Sequence, residues 1–226
     1  MNKKRYFSII FITSVIVWGC LSKEKRVKVI FFGDSITYNG LIWKHGFINK
    51  IDSIIKSEDL EYKYQLEGSG NIGNKVTDLY SRLQKDVIQY NPDIVVIYIG
   101  INDVNNGKPD IESEEFKKVY CSIIKELNKK KIKSIICTPT VIGELPNLKN
   151  PKDLYLEKYT TILNDISIQY SIPLCNLRKA FTGYLNVNNS TSKLNGVLTA
   201  DGIHLNRKGN LIVAENMWKI IKSVKL

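Results

Sequence analysis

Val27-Lys28-Val29-Ile30-Phe31-Phe32 is a nearly unbroken apolar run that halts at Gly33-Asp34-Ser35. A strand with one wet face alternates apolar and polar residues, whereas a strand covered on both faces stays apolar. The run is therefore expected to be a central strand that ends in a turn. The same signature returns at 93–99 (DIVVIYI), after the breaker Asn91-Pro92, and at 132–137 (IKSIIC), before Thr138-Pro139. Residues 62–66 are a weaker candidate and 172–175 a shorter one. Between these runs the apolar residues take on a helical period. Residues 47–56 place Phe47, Ile48, Ile51, Ile54 and Ile55 on one face, and residues 76–90 do so with Val76, Leu79, Leu83, Val87 and Ile88. Residues 114–130, 153–170 and 207–224 read the same way. Five strands alternating with helices imply an α/β fold, with a parallel five-stranded sheet covered on both faces. In such a sheet ligands bind beyond the carboxyl ends of the strands.

Ahead of the first strand stand Lys3-Lys4-Arg5, an apolar run from Tyr6 to Trp18, and Gly19-Cys20. The run is about 13 residues, against the roughly 20 a spanning helix needs, so residues 1–19 are expected to be a signal peptide. Gly19-Cys20 resembles a bacterial lipobox; Val17 is in keeping with it, and Trp18 departs from the small residue usual there. On this reading Cys20 is lipidated, 20–26 is a tether and 27–226 is the folded domain. The protein is then exported and lipid-anchored to the bacterial cell envelope, with no other membrane contact. The formal net charge is +11, but three basic residues fall within the signal peptide and the densest later run is Lys129-Lys130-Lys131. Interspersed with acidic residues, this charge reads as a solvated basic surface, and no nucleic-acid partner is expected. Neither a metal-type spacing nor C-x-x-C occurs among the cysteines. Cys137 and Cys175 sit in apolar, strand-like runs and are expected to be buried free thiols. Cys121 makes the number odd, and a disulfide in an oxidising compartment stays open.

The chemistry lies at the strand ends. Ser35 follows the first strand, in a turn that can expose its hydroxyl, although Gly-Asp-Ser is also an ordinary turn. The second strand is followed by Gly68-Ser69-Gly70-Asn71-Ile72-Gly73-Asn74, glycine-rich and free to bring backbone close to a ligand, without the Lys-Ser/Thr of a phosphate loop. The third ends in Gly100-Ile101-Asn102-Asp103, where Asn102 can aim an amide into a cleft or simply cap a turn. Near the C-terminus stands Asp201-Gly202-Ile203-His204, and the chain has only 2 histidines. A carboxylate three residues before a histidine can fold back onto Nδ1–H, fix the tautomer and leave Nε2 to take a hydroxyl proton. Serine needs such a base to become a nucleophile, and acyl transfer needs donors for the developing oxyanion.

Taken in order, these blocks resemble the SGNH hydrolase superfamily of GDSL-type esterases, over about residues 27–222. Gly33-Asp34-Ser35-Ile36-Thr37 matches the first block, Gly70-Asn71-Ile72-Gly73 with Thr77-Asp78-Leu79 the second, Gly100-Ile101-Asn102-Asp103 the third and Asp201-Gly202-Ile203-His204 the last. The resemblance implies a flavodoxin-like three-layer α/β/α fold. It also implies a triad of Ser35, Asp201 and His204, and an oxyanion hole from the Ser35 N–H, the Gly73 N–H and the Asn102 side chain. Gly68 stands where the family commonly has Asn, and Leu205 where it often has Pro. The implied activity is hydrolysis of carboxylic esters through an acyl-serine, with no metal or organic cofactor. Short acyl esters of carbohydrates are the expected substrates. Tyr38, Trp43 and His45 are candidates for stacking on a sugar ring, or else pack within their loop. A lysophospholipase or thioesterase-like acyl hydrolase, an O-acyltransferase and a lipid-anchored glycan-binding protein on the same fold are the alternatives.

Overall fold

The computed structural model describes residues 25–226; the expected signal peptide at 1–19, Cys20 and most of the expected tether lie outside the described residues. The strands are β1 Val27–Gly33, β2 Tyr64–Gly70, β3 Ile94–Tyr98, β4 Lys133–Cys137 and β5 Leu174–Cys175. They form one parallel sheet in the order β2-β1-β3-β4-β5. The helices are α1 Ser35–Ile42, α2 Phe47–Ser57, α3 Val76–Asp86, α4 Ile101–Asn105, α5 Pro109–Lys129, α6 Asp153–Tyr170, α7 Leu177–Asn188 and α8 Arg207–Ile221. On one side α8 packs against α2 and α7, and on the other α5 packs against α3 and α6. Covered on both faces, β3 is buried along its whole length and β1 from Val29 onward, which is why neither alternates in sequence.

The chain leaves β1 for β2 on one side and then crosses to β3 on the other. The order reverses between β1 and β3, and a crevice opens beyond the carboxyl ends at such a reversal. Asp34-Ser35 follow β1, Asn71 follows β2 and Ile99-Gly100-Ile101 follow β3, so three candidate loops border one crevice.

The second strand runs further than the sequence predicts. Apolarity ends near Leu66, yet pairing with β1 continues through Gly70 opposite Gly33. A Cβ on Gly70 would stand 2.2 Å from the Tyr38 nitrogen and 2.7 Å from the Asp34 oxygen, so only glycine lets β2 pass this close to α1. The expected helix at 76–90 divides into α3 and a 3₁₀ turn at Ile88–Tyr90. The sequence reading also passed over three helices. α1 and α4 begin on the site's own turns, and α7 carries a helical signal in Leu177, Phe181 and Leu185, all buried, behind the cap Asn176. Cys137 and Cys175 face each other across β4 and β5 as buried free thiols, and Cys121 is half-buried and free.

Candidate active site

Asp34 follows β1 directly and caps α1, accepting the Ile36 N–H at 2.9 Å. Ser35 is thereby the first residue of α1, where backbone N–H groups have no acceptor within the helix. The Ser35 Oγ lies 3.0 Å from His204 Nε2, and His204 Nδ1 lies 2.7 Å from Asp201 Oδ2. An ionised carboxylate only accepts, so Nδ1 carries the proton and Nε2 is left to accept from the serine hydroxyl. The second Asp201 oxygen accepts the N–H groups of Ile203 and His204, at 3.0 and 2.7 Å. Partial burial works against the Asp201 charge, but the hydrogen bonds from the His204 ring and these N–H groups outweigh it and hold the carboxyl below its usual range.

Gly73 adopts a φ of +78°, a conformation that favours glycine, with nothing within 4 Å of the missing Cβ. Asn102, in the first turn of α4, is 9% exposed. Its amide donates to the Asn74 carbonyl at 3.1 Å, and its oxygen accepts from Asn106 at 3.3 Å. The amide is thus oriented, adjoins the loop that holds Gly73, and has a second N–H to give. Asn71 N–H in turn donates to the Gly33 carbonyl at 3.2 Å, joining that loop to the serine turn.

Two further carboxyls lie beneath. Burial pushes Asp34 up to about 7, against the hydrogen bond from Ile36 and with Asp103 adding to the rise. Burial likewise pushes Asp103 up to about 6, although its Oδ1 accepts the Val76 N–H at 3.1 Å. These carboxyls brace the starts of α1 and α3.

The sequence reading passed over Glu144, which is fully buried in the stretch between β4 and α6. Its carboxylate accepts the N–H groups of Val197, Leu198 and Thr199 at 2.7, 2.6 and 2.5 Å, and the Thr199 hydroxyl at 2.8 Å. That hydroxyl accepts the Gly202 N–H at 3.0 Å, and Gly143 N–H donates to the Gly202 carbonyl at 2.8 Å. The turn bearing Asp201 and His204 therefore hangs from Glu144. Its partners are 53 to 55 residues away, a separation that no local pattern reveals. Arg82 was missed too, as one basic residue on an amphipathic helix.

Trp43 and His45 line a cleft of about 450 Å³ with Lys44, Ala200, Leu205 and Arg207. Ala200 and Leu205 flank the Asp201–His204 turn in sequence, while Ser35, Asp201 and His204 are outside this lining. Tyr38 lies outside that lining and is 39% exposed. A larger cavity, about 730 Å³, lies at the opposite end of the sheet among Arg26, Lys28, Tyr62 and Tyr90 and holds none of these residues.

A serine, an imidazole and a carboxylate in series beside oriented amide donors is an arrangement suited to acyl transfer. The GDSL-like Lipase/Acylhydrolase family matches residues 29–217. The chain belongs to this family. As a GDSL-type acylhydrolase it is a carboxylic ester hydrolase of the SGNH superfamily. Its fold superposes on the crystal structure of an acetyl xylan esterase, AlAXEase, with a TM-score of 0.82 and 38% identity, covering 86% of this chain and 100% of that one. An acetylxylan esterase of Geobacillus stearothermophilus is 26% identical over 205 residues, 83% of this chain and 90% of its own length. An uncharacterized lipoprotein of Bacillus subtilis (strain 168), YqeF, is 25% identical over 237 residues, 94% of this chain and 96% of its own length.

Proposed function

We propose that this acylhydrolase removes short acyl groups, acetyl above all, from carbohydrate esters, with Ser35 as nucleophile. The observation that carries the reading is the unbroken relay from Ser35 Oγ to His204 to Asp201, at 3.0 and 2.7 Å. His204 Nε2 takes the hydroxyl proton as Ser35 attacks the ester carbonyl, and gives it to the sugar oxygen as the ester C–O bond breaks. Water then repeats the cycle on the acyl-serine. Asp201 stays ionised throughout and stabilises the imidazolium. The N–H groups of Ser35 and Gly73 and the Asn102 amide receive the oxyanion, a role worth on the order of 3 kcal/mol of barrier per donor.

The substrate reading is supported by the two acetylxylan esterases that resemble nearly the whole folded chain. It is also supported by the indole of Trp43, which lines a cleft together with Ala200 and Leu205, the residues on either side of the Asp201–His204 turn, and offers a surface on which a sugar ring can stack. Export and a lipid on Cys20 are proposed with it, supported by the Gly19-Cys20 pattern and by the lipoprotein relative. Acetate release from acetylated xylo-oligosaccharides by the wild type, lost in Ser35→Ala and His204→Ala, is the expected result. Full release by either variant overturns the assignment. Cys20→Ala is expected to move the protein from the membrane fraction to the soluble fraction; retention on the membrane removes the anchor from the account.

A further inference from the structure

Arg82 lies on α3, with its side chain 11% exposed and its guanidinium 4.4 Å from the centre of the Phe32 ring. All of its donor groups are engaged. Nη2 donates to the carbonyls of Gly33 at 2.7 Å and Ser69 at 3.2 Å. Nη1 donates to the Ser69 hydroxyl at 2.8 Å and to Asp86 at 2.9 Å, and Nε donates to the Asn74 side-chain oxygen at 2.8 Å. A guanidinium has five N–H bonds in a fixed plane, and five contacts use them. These contacts converge on the site. Gly33 directly precedes Asp34-Ser35, Ser69 is in the last paired stretch of β2, and Asn74 follows Gly73 while its carbonyl holds the Asn102 amide.

We infer that Arg82 is a positioning residue for the acyl-transfer step, fastening the turn that presents Ser35 to the loop that presents Gly73 and Asn102. The inference rests on the proposed nucleophile and oxyanion donors. Gly73 itself offers no side chain, and its φ of +78° is a shape that many chain conformations of Gly70-Asn71-Ile72-Gly73 can leave. A planar fork that grips both ends at once removes that freedom before substrate arrives. Lysine, a single point of charge on a flexible stem, cannot bond the Gly33 carbonyl and the Asn74 side chain in the same geometry. Misplacement of reacting groups by an ångström, or loss of one oxyanion donor, each costs on the order of 10²-fold in rate. The loss falls on kcat, because the positioned donors act on the oxyanion of the transition state and not on the ground-state ester.

The test uses the full-length protein in detergent, with p-nitrophenyl acetate as substrate. A fluorophosphonate titrates reactive serine, so that kcat is expressed per competent site, and Ser35→Ala serves as control. Arg82→Ala and Arg82→Lys are expected to lower kcat about 100-fold per titrated site while KM moves less than about threefold. Guanidinium ion at millimolar concentration is expected to restore at least about tenfold of the Arg82→Ala loss, and methylammonium at equal ionic strength to restore none. Asn74→Ala cuts the same link from the loop side and leaves the other contacts of the guanidinium in place. It is expected to lower kcat, and the double variant with Arg82→Lys to be no worse than Arg82→Lys alone. Wild-type kcat per titrated site in Arg82→Lys, or rate losses that multiply in the double variant, overturns the inference. Full activity in Ser35→Ala instead overturns the nucleophile, whatever Arg82 does.

Discussion

Ser35, Gly73 and Asn102 stand just beyond the ends of three adjacent strands, whereas Asp201 and His204 stand in the irregular stretch between α7 and α8. The first group inherits its placement from a ladder of backbone hydrogen bonds running from Val27↔Tyr64 to Gly33↔Gly70, and from Val29↔Ile94 to Gly33↔Tyr98. The second has only a single antiparallel bridge, Thr199↔Leu205, and is held by the buried carboxylate of Glu144. The stretch that carries Glu144 is itself braced by buried polar groups. Arg178 donates to the Thr140 carbonyl at 2.9 Å and pairs with Asp153 at 2.6 Å, both side chains 2% exposed, while Asn150 bonds Leu145 and Asp153. The difference teaches that a triad can be assembled from one half fixed by secondary structure and another fixed by a carboxylate bound to backbone N–H groups. Loss of the Glu144 carboxylate should therefore be felt in stability as well as in rate.

The largest effect belongs to a reacting atom. His204→Ala is expected to lower kcat/KM at least about 10⁴-fold, read with p-nitrophenyl acetate, while the melting temperature stays near that of the wild type. A loss below tenfold would detach His204 from the chemistry. Next comes the anchor of the second half. Glu144→Ala leaves three buried donors and one half-buried donor without their acceptor and is expected to cost about 4 kcal/mol in urea unfolding, with loss of activity. Glu144→Gln, which keeps one acceptor oxygen, should cost less. If Glu144→Ala is stable to within about 1 kcal/mol and active, the second half does not depend on this carboxylate.

The first half has its own signature, in pH. Asp34 rises to about 7 and Asp103 to about 6 by burial. A carboxyl raised in the folded state binds its proton more tightly there than in the unfolded chain. Its contribution is fully present below the unfolded value near 4 and is lost as pH rises through the folded value. From pH 5 to pH 8 the protein is expected to lose about 3 kcal/mol through Asp34, with a smaller share from Asp103. Asp34→Asn should flatten that decline in unfolding measurements; an equally steep decline in Asp34→Asn would show that the buried carboxyl is not its source. The smallest effect tests the relay from Glu144 to the triad. Thr199→Val removes the hydroxyl between Glu144 and Gly202 and should cost about 1 kcal/mol and a few-fold in kcat. No change in kcat would mean that the Val197–Thr199 N–H groups suffice.

The unequal construction of the two halves also governs what could be read from the sequence. Unbroken apolar runs such as DIVVIYI are the direct imprint of a strand buried on both faces, and they located the sheet and the ends where Ser35 and Asn102 stand. Gly73 and the Asp201-Gly202-Ile203-His204 turn are short-range patterns whose chemistry is local. Gly68 to Gly70 misled, because glycine in a strand signals close approach of another backbone, here α1, as readily as it signals a loop. Glu144 and Arg82 left no local trace. Each acts through acceptors or donors that only the folded chain brings together, Glu144 on Thr199 and Arg82 on Gly33, 55 and 49 residues away. The helix of Leu177, Phe181 and Leu185 is not among the expected ones, although its four-residue spacing carries the signal.

The central claim is that Ser35 is the nucleophile of an acyl-transfer relay. Reacting the full-length protein with a fluorophosphonate and mapping the adduct by peptide mass spectrometry tests it most directly. The account predicts one adduct, on Ser35, with esterase activity falling in proportion to labelling, and neither labelling nor activity in Ser35→Ala. An adduct on another residue, or esterase activity that survives complete modification of Ser35, would contradict it.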